Sequence, residues 1–546
     1  MTQVSSWGTN RAGKLPRLLF PLLVLLVGAP LFFCRLDDVY LWQDEAETAI
    51  VSRNLLAFGL PLSTDGRNWV QQAGGSFVEF TADYVWLYHS WLQYALAAVS
   101  FGLLGPTTLA ARLPFALFGL ATVALLYRLV VHWVADERVA RVAIVLLVLC
   151  VPFALLLRQC RYYAPSAFFT LLMLDAYLHL RGGTQWGIPY LVLAAVLLYH
   201  SHYGAFFPSV IALGVDMLVS RERRDGWRRF LIALVLITAF VLPWAHFMRV
   251  LYRGQPFRLD RFAAHVGQHV VYITAWVFPL VLVALLLIAW GRSQRGGELA
   301  LSPQQAGFCR LASIVVVINV LMLSAAAAFD WVFFRYIAHL IPLLLAMLAI
   351  VIVLVMERWP VGGYGLLALL LVCNGLHMLP YGLPGVRDLE WSGLWSESGA
   401  FQALDEVWNK AGRFRSSLWM YAQELTHSYD GPNEGLIGYL LAHARPGQTL
   451  LVNYEDLPLM FYTDLRVLGG LSGHGLSDGV QPDWVVDRKH GSYRDQLAAV
   501  VGAGSYERIE IPYPDIRWEN RPEPGGHHYL TVQGEENVVL YRRQED

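Results

Sequence analysis

The sequence contains few charged residues and few cysteines. Charged side chains make up 15% of the 546 residues, and hydrophobic ones make up 56%. Soluble domains carry about 25% charged residues, so this composition excludes an ordinary soluble enzyme. The net charge is -1, so the chain has no excess of basic residues. Nucleic-acid binding requires such an excess, which excludes nucleic acid as a partner. The 5 cysteines lie in or beside apolar runs without metal-ligand spacing, so we expect neither a disulfide framework nor a zinc module.

Long apolar runs fill the chain from Leu18 to about Tyr381. A helix needs about 20 apolar residues to cross a bilayer. The candidate spans are Leu18–Cys34, Val85–Leu104, Leu113–Val134, Val142–Leu157, Ser166–Leu180, Ile188–His200, Gly204–Val219, Phe230–Tyr252, Val266–Trp290, Leu311–Ala328, Ile337–Met356 and Tyr364–Pro380. A cytoplasmic N-terminus and an external C-terminus require an odd number, so we expect about 11–13 transmembrane helices. Either a run between Val85 and Val134 does not cross fully, or a further short span is present.

Basic residues set the predicted orientation. They precede the first run, and five arginines cluster between Arg221 and Arg229, so the positive-inside rule places both segments in the cytoplasm. Counting spans from there puts a first outer loop at about residues 37–85 and the C-terminal part outside. We therefore predict a polytopic α-helical membrane domain over residues 1–381 and a soluble domain over residues 382–546. Pro380–Gly399, rich in Gly, Pro, Ser and Trp, is the predicted linker.

The C-terminal part has the periodicity of a small α/β domain. Helical spacing occurs over Asn433–Ala444 and Leu457–Tyr462. Strand patterns occur at Thr449–Asn453, Arg466–Leu468, Trp484–Asp487, Glu507–Ile511 and Asn537–Tyr541. A soluble α/β domain on the outer side of the membrane is therefore expected.

An acidic pair, Asp44 and Glu45, follows the first apolar run directly. Ala46, Ala49 and Ile50 have helical spacing, which indicates a helix at the membrane surface. One interpretation is a helix N-terminus, where the carboxylates cap the backbone or interact favourably with the positive end of the macrodipole. The other is a general base at the membrane surface. The residues alone leave both interpretations open.

Several segments, in their order along the chain, resemble GT-C glycosyltransferases, in the branch of protein O-mannosyltransferases and the lipid A aminoarabinose transferase. The first is Asp44-Glu45, continued by Ala49, Arg53 and Gly59. The others are Leu92–Leu120 with Ala110-Ala111-Arg112-Leu113-Pro114, Arg158–Ala164, and Phe334-Arg335-Tyr336 followed by Pro342. The resemblance covers most of the membrane part and, more weakly, the tail. It implies a GT-C fold in a bacterial inner membrane, with the active site and the C-terminal domain facing the periplasm.

The resemblance also implies the reaction. A sugar moves from a polyprenyl-phosphate donor to an acceptor hydroxyl of a glycan, lipid or protein, in a single inverting displacement. The acceptor oxygen loses its proton as it attacks, and Asp44 matches the family's catalytic aspartate in the first loop. Glu45 is assigned to the same catalytic site, where it either shapes the loop or binds a metal.

The leaving phosphate requires positive charge and hydrogen-bond donors. Arg161 and Arg335 lie in matching segments, with Tyr162, Tyr163 and Tyr336 as further donors. The alternative for each arginine is snorkelling to lipid headgroups.

The chain departs from the family pattern in two places. Many members carry a lysine for the donor phosphate at the start of the second helix, but this chain has no lysine between Lys14 and Lys410. Arginines, tyrosines or His89 must then hold the phosphate. Some members have an aspartate in the second outer loop, which is absent here, so Glu79 and Asp83 are the candidates for a second acid.

His200 and His202 form an H-x-H pair that could begin a site for a divalent metal, although such histidines are more often hydrogen-bonded interface residues. No other cofactor is implied. Two competing functions remain: a transporter or flippase of lipid-linked sugars, and a polymerase or ligase of envelope polysaccharide that uses a diphosphate-linked donor. Transporters often have paired repeats with broken helices, and no such pairing is visible in the sequence. A non-catalytic sensor is the third alternative.

Overall fold

The computed structural model describes residues 15–72, 77–220, 224–253, 256–293, 301–327, 331–379, 416–429, 431–476, 479, 481–516, 520–524, 527–529 and 536–544. The predicted linker Pro380–Gly399 lies outside the described residues, as do Arg221 and Arg223 of the basic cluster.

The described residues of the membrane part are mainly helical. Its described helices are α1 Leu15–Phe33, α2 Gln43–Phe58, α3 Leu92–Leu104, α4 Thr108–Trp133, α5 Glu137–Val148, α6 Val151–Leu157, α7 Tyr163–Arg181, α8 Gly187–Ser201, α9 Tyr203–Val219, α10 Arg224–Phe247, α11 Leu259–Trp276, α12 Leu280–Ser293, α13 Pro303–Ala326, α14 Ile341–Arg358 and α15 Pro360–Val372. Short 3-10 turns occur at Val250–Tyr252 and Phe334–Leu340.

Length and apolarity identify the helices that can cross a membrane. Among the described residues, 4 helices qualify, or up to 6 if each of two bent pairs counts as one span. Shorter apolar helices occur at Leu19–Phe33, Leu92–Leu104, Gly187–Ser201, Tyr203–Val219 and Pro360–Val372. The prediction of a helical multi-span membrane protein is confirmed.

Two predicted spans are broken in the structure. The helices α5 and α6 meet at a bend of 65°, and α11 and α12 meet at a bend of 75°. Pro152 lies in the first turn of α6, and Pro279 directly precedes α12. Proline lacks the backbone N–H and clashes with the carbonyl four residues earlier, so the preceding helix ends before each proline.

The predicted span Val85–Leu104 is only partly helical. Residues 85 and 86 form isolated bridges with Leu62 and Phe80 and belong to the loop between α2 and α3. The helix α3 has 13 residues, which gives about 20 Å at a rise of 1.5 Å per residue, compared with a hydrocarbon core of about 30 Å. This short helix agrees with the first of the two explanations for the even count of spans.

The C-terminal part contains one mixed five-stranded sheet in the order β2-β1-β3-β5-β4. The strands are β1 Thr449–Val452, β2 Arg466–Gly469, β3 Trp484–Asp487, β4 Tyr506–Pro514 and β5 Asn537–Arg543. Strand β1 pairs in parallel with β2 and β3, whereas β5 pairs antiparallel with β3 and β4. Its described helices are Ser417–Thr426, Pro432–His443, Asp456–Tyr462 and Arg494–Ala503. The predicted α/β tail is confirmed.

The tail packs on the segment of residues 37–85 through the helix Asp456–Tyr462, which follows β1. The Gln43 amide nitrogen lies 2.7 Å from Asp456 Oδ1, and the backbone N–H of Leu41 donates to the Tyr462 hydroxyl at 2.9 Å. Asn68 bonds to the backbone of the tail at the start of β2, with Asn68 Oδ1 accepting from the N–H of Val467 at 2.8 Å. These contacts bring the sheet domain against α2, the helix that carries the acidic pair.

Candidate active site

Helix α2 begins directly after Trp42, and Asp44 lies in its first turn. Trp42 is the N-cap residue and makes no side-chain cap bond, so Asp44 does not cap the helix. The alanines at 46 and 49 are fully buried, as the helical spacing predicted. Carboxylates in the first turn interact favourably with the positive end of the helix macrodipole. Asp44 also makes contacts that this role does not explain.

Two arginines from distant segments flank the Asp44 carboxylate. Arg335 Nη2 lies 3.3 Å from Asp44 Oδ2, and Arg161 Nη2 lies 3.9 Å from the same oxygen. The Asp44 side chain is 18% exposed, whereas both arginine side chains are 10% exposed or less. The fold therefore brings together three predicted site residues from three separate segments of the chain.

Arg161 is held mainly by Glu47, a residue for which the sequence analysis proposed no role. Arg161 Nη1 donates to Glu47 Oε2 at 3.0 Å and to the backbone oxygen of Asp44 at 2.9 Å. Arg161 Nη2 lies 3.0 Å from His89 Nε2, so His89 also joins the site. Glu47 follows Asp44 by three positions, and residues at that spacing share a helix face. This spacing is the signal that could have identified Glu47.

Glu47 is fully buried and ionised. Its Oε1 accepts a hydrogen bond from the Tyr94 hydroxyl at 2.7 Å, and its Oε2 lies 3.4 Å from His89 Nε2. Burial alone would raise the pKa of Glu47, but the charge of Arg161 and the bonds from His89 and Tyr94 lower it to about 2. The carboxylate is thus a fixed negative charge behind Arg161.

Arg335 joins Asp44 to the C-terminal domain. Arg335 Nη1 donates to Glu523 Oε1 at 2.6 Å, and Arg521 Nε donates to Glu523 Oε2 at 2.6 Å. The Arg335 guanidinium carbon lies 4.0 Å from the centre of the Phe333 ring and 5.3 Å from that of Trp42. Glu523 and Arg521 were not predicted from the sequence, because no local pattern shows that this tail segment reaches the membrane part.

The three predicted tyrosines surround these arginines. Tyr162 stacks on His202 with ring centres 4.1 Å apart, and Arg161 lies 5.6 Å from the centre of the Tyr162 ring. Tyr336 lies 5.9 Å from the Arg335 guanidinium. The buried Tyr163 hydroxyl has no hydrogen-bond partner within the described part of the chain. It is therefore a donor available to a ligand.

Glu45 occupies a different environment from Asp44. Arg112 donates to both of its oxygens, at 2.9 and 2.7 Å, and the backbone N–H of Cys160 donates at 2.7 Å. Glu45 is fully buried, so its acceptor positions are directed at protein groups. Of the two roles expected for Glu45, these contacts favour shaping of the loop.

The remaining predicted residues lie apart from one another. Glu79 is buried and accepts a hydrogen bond from the backbone N–H of Gln72, whereas Asp83 is exposed. The His200 ring packs on Trp244 at 5.2 Å, while His202 stacks on Tyr162. In the described ranges, no group of three His, Cys, Asp or Glu residues could hold a metal ion.

Arg253 is a further cation beside the site. It was not among the phosphate-binding residues predicted from the sequence. Its Nη1 donates to the Tyr203 hydroxyl at 2.7 Å, and its Nη2 donates to the carbonyl oxygens of Leu87 at 2.7 Å and Met248 at 2.6 Å. Its guanidinium lies 5.6 Å from the Tyr88 ring, whose neighbour is His89. Among the residues that the structure describes, no carboxylate pairs with Arg253, so its charge is not neutralised by an ion pair.

Together these features define the class of fold: a helical membrane protein with a mixed-sheet C-terminal domain that packs on the segment containing α2. Solved structures of ArnT from Cupriavidus metallidurans are similar to it over nearly the whole chain. The structure bound to undecaprenyl phosphate has a TM-score of 0.51 and 13% identity, and the apo structure has a TM-score of 0.52 and 15% identity. Each comparison covers 97% of this chain and 98% of the ArnT chain.

The fold expected from the resemblance to GT-C glycosyltransferases is therefore confirmed. No family model and no curated protein sequence matches the chain.

Proposed function

We propose that this protein is a GT-C glycosyltransferase that moves a sugar from a polyprenyl-phosphate donor to an acceptor hydroxyl. The observation that carries the proposal is the Asp44 carboxylate, held between Arg161 and Arg335 in a fold shared with ArnT. The ArnT structure with undecaprenyl phosphate supports a lipid-phosphate donor for this chain as well.

Asp44 is the proposed general base. One carboxylate oxygen faces the two arginines, which restrains the side chain, while its partial exposure leaves it accessible to an acceptor hydroxyl. The acceptor oxygen transfers its proton to Asp44 as it attacks the anomeric carbon, and the bond to the donor phosphate breaks on the opposite side of the sugar. A single displacement of this kind inverts the anomeric centre.

The donor phosphate is proposed to lie near Arg253 and His89. The arginines next to Asp44 are already matched in charge: ion pairs join Arg161, Arg335 and Arg521 to Asp44, Glu47 and Glu523. A phosphate added to that set would be an unmatched anion in a poorly hydrated setting. Arg253 carries a charge without a carboxylate partner in the described residues, so it fits the role of the missing lysine. Arg161 then acts on the phosphate mainly through His89, and Tyr163 can donate a further hydrogen bond.

The proposed orientation places this site on the outer face of a bacterial cytoplasmic membrane. It rests on the arginines between Arg221 and Arg229 and on the basic N-terminal flank, which the positive-inside rule assigns to the cytoplasm. The site then lies where lipid-linked sugars meet acceptors of the cell envelope.

The test is a transfer assay with purified protein in lipid nanodiscs. A panel of labelled undecaprenyl-phosphate hexoses and pentoses is supplied with envelope extract as acceptor, and release of undecaprenyl phosphate is measured. Asp44→Asn keeps the shape but cannot accept the proton, so we expect a loss of roughly 10²-fold or more. Asp495→Asn, an exposed position in the tail, is the matched control and should leave the rate unchanged.

Three results would contradict the proposal. Near-normal turnover by Asp44→Asn would remove its role as base. Movement of intact lipid-linked sugar across the membrane without cleavage would indicate a flippase, and cleavage of only diphosphate-linked donors would indicate the polysaccharide polymerase or ligase.

A further inference from the structure

A short segment of the C-terminal domain reaches the proposed active site. It consists of Arg521, Pro522 and Glu523. Glu523 is 13% exposed, and each of its carboxylate oxygens lies 2.6 Å from an arginine nitrogen, one on Arg335 and one on Arg521. A tail carboxylate is thus separated from Asp44 by a single guanidinium group.

The geometry of Arg335 makes Glu523 able to orient Asp44. A guanidinium is planar, so the position of one η nitrogen fixes the direction of the other. Nη1 of Arg335 is bonded to Glu523, and Nη2 faces Asp44 at 3.3 Å. The Phe333 ring, 4.0 Å from the guanidinium carbon, holds the plane from one side. Glu523 therefore determines where the cation beside Asp44 lies.

Glu523 itself is rigidly held. Pro522 and Pro524 flank it, and the ring of proline fixes the backbone φ angle. Burial would raise the pKa of Glu523, but Arg335 and Arg521 lower it, so the carboxylate remains charged. A rigid, charged and doubly bonded side chain suits a fixed support better than a group that a ligand displaces.

We propose that Glu523 is a positioning residue that acts through Arg335 to orient Asp44, so that the C-terminal domain completes the active site. This inference rests on the proposed glycosyltransferase function. It gives the tail a role in the chemical step itself. It also separates Glu523 from residues that bind the donor, which would alter KM for the donor rather than kcat.

The experiment measures kcat and the donor KM for Glu523→Gln and Glu523→Asp. Glu507→Gln, at an exposed position of β4 in the same domain, is the matched control. We expect Glu523→Gln to lower kcat by about tenfold, because misplaced groups of this kind lose up to 10²-fold in rate, and to change the donor KM less than twofold. Glu523→Asp keeps the charge but is one methylene shorter, so its kcat should be intermediate.

A double-mutant cycle tests the route through Arg335. In the Arg335→Ala background, Glu523→Gln should cause no further loss, because the two changes remove the same support. Additive losses would overturn the inference. Full activity of Glu523→Asp would also overturn it, since that result would mean that charge in the tail matters and position does not.

Binding of undecaprenyl phosphate alone, measured by native mass spectrometry, separates the failure modes. Normal binding with a reduced kcat in Glu523→Gln supports the inference. Tighter binding together with faster turnover would show that Glu523 competes with the donor phosphate, and would overturn it. If the wild-type protein transfers sugar and Glu523→Gln has the same kcat as the control Glu507→Gln, this inference alone is refuted. A wild-type protein that neither binds nor transfers would refute the proposed function, and this inference with it.

Discussion

Glu47 provides a stringent test of the charge arrangement, because it is fully buried and its pKa is about 2 compared with the reference value of 4.5. The change Glu47→Gln keeps the shape and removes the charge that Arg161 and His89 face. Arg161 would then keep only Asp44, at 3.9 Å, as an acidic partner. We expect the variant to be less stable and to have reduced transfer activity.

The magnitude follows from the shift in the Glu47 pKa. A group whose pKa is lowered in the folded state adds stability above its unfolded pKa, and this stability is lost as the pH falls toward the folded pKa. The shift of Glu47 from 4.5 to about 2 corresponds to about 3 kcal/mol at pH 7 and to about 1 kcal/mol at pH 3. The difference between wild type and variant should therefore shrink on acidification.

The assay is equilibrium unfolding in mixed micelles at pH 7 and pH 3, with Glu507→Gln as the control. Wild type should exceed Glu47→Gln by about 3 kcal/mol at pH 7, with the smaller difference at pH 3. Equal differences at the two pH values, or none at pH 7, would show that Glu47 is not an ionised partner of Arg161.

Three further predictions concern Arg253, Glu45 and the orientation of the chain in the membrane. Arg253→Ala should weaken binding of undecaprenyl phosphate by tenfold or more, and Lys should restore it partly because it cannot form the forked contact; unchanged binding in a titration would place the phosphate elsewhere. Glu45→Gln should lower the unfolding midpoint by leaving Arg112 without its buried partner; restoration of activity by added metal would instead assign Glu45 to a metal. A reporter fused after Asp388 should be active only outside the cytoplasm and one at Arg224 only inside; the same side for both would contradict the orientation.

The sequence predicted the elements of this fold better than their ends. Apolar length identified the membrane part, and the tail strands were placed within a few residues because alternating and buried runs are local signals. The breaks at Pro152 and Pro279 were missed because hydropathy alone does not register the loss of a backbone donor. The start of α3 was placed too early, since Val85 and Trp86 are apolar residues of a loop.

The sequence predicted those candidate site residues that lie in segments resembling a known family. Asp44, Arg161 and Arg335 were found because each belongs to a segment that resembles a known family, and the fold brings them together. The partners of these residues could not be found in the same way. Glu523 lies 188 positions from Arg335 along the chain, and only the packing of the tail on the membrane part brings them into contact.

The packing of the tail on α2 also has a consequence for the order in which the contacts form during synthesis. Gln43 and Asp456 are 413 positions apart, and ribosomes add roughly 5–20 residues per second, so about 20–80 s pass between their synthesis. During that interval α2 has left the ribosome. The side-chain amide of Gln43 and the backbone N–H of Leu41 do not yet have their partners, Asp456 and Tyr462. Until the tail is synthesised, these groups can form hydrogen bonds only with water or with other polar groups. A chain that ended before the tail would contain the helices of the membrane part and still lack the tail residues that contact α2 and Arg335.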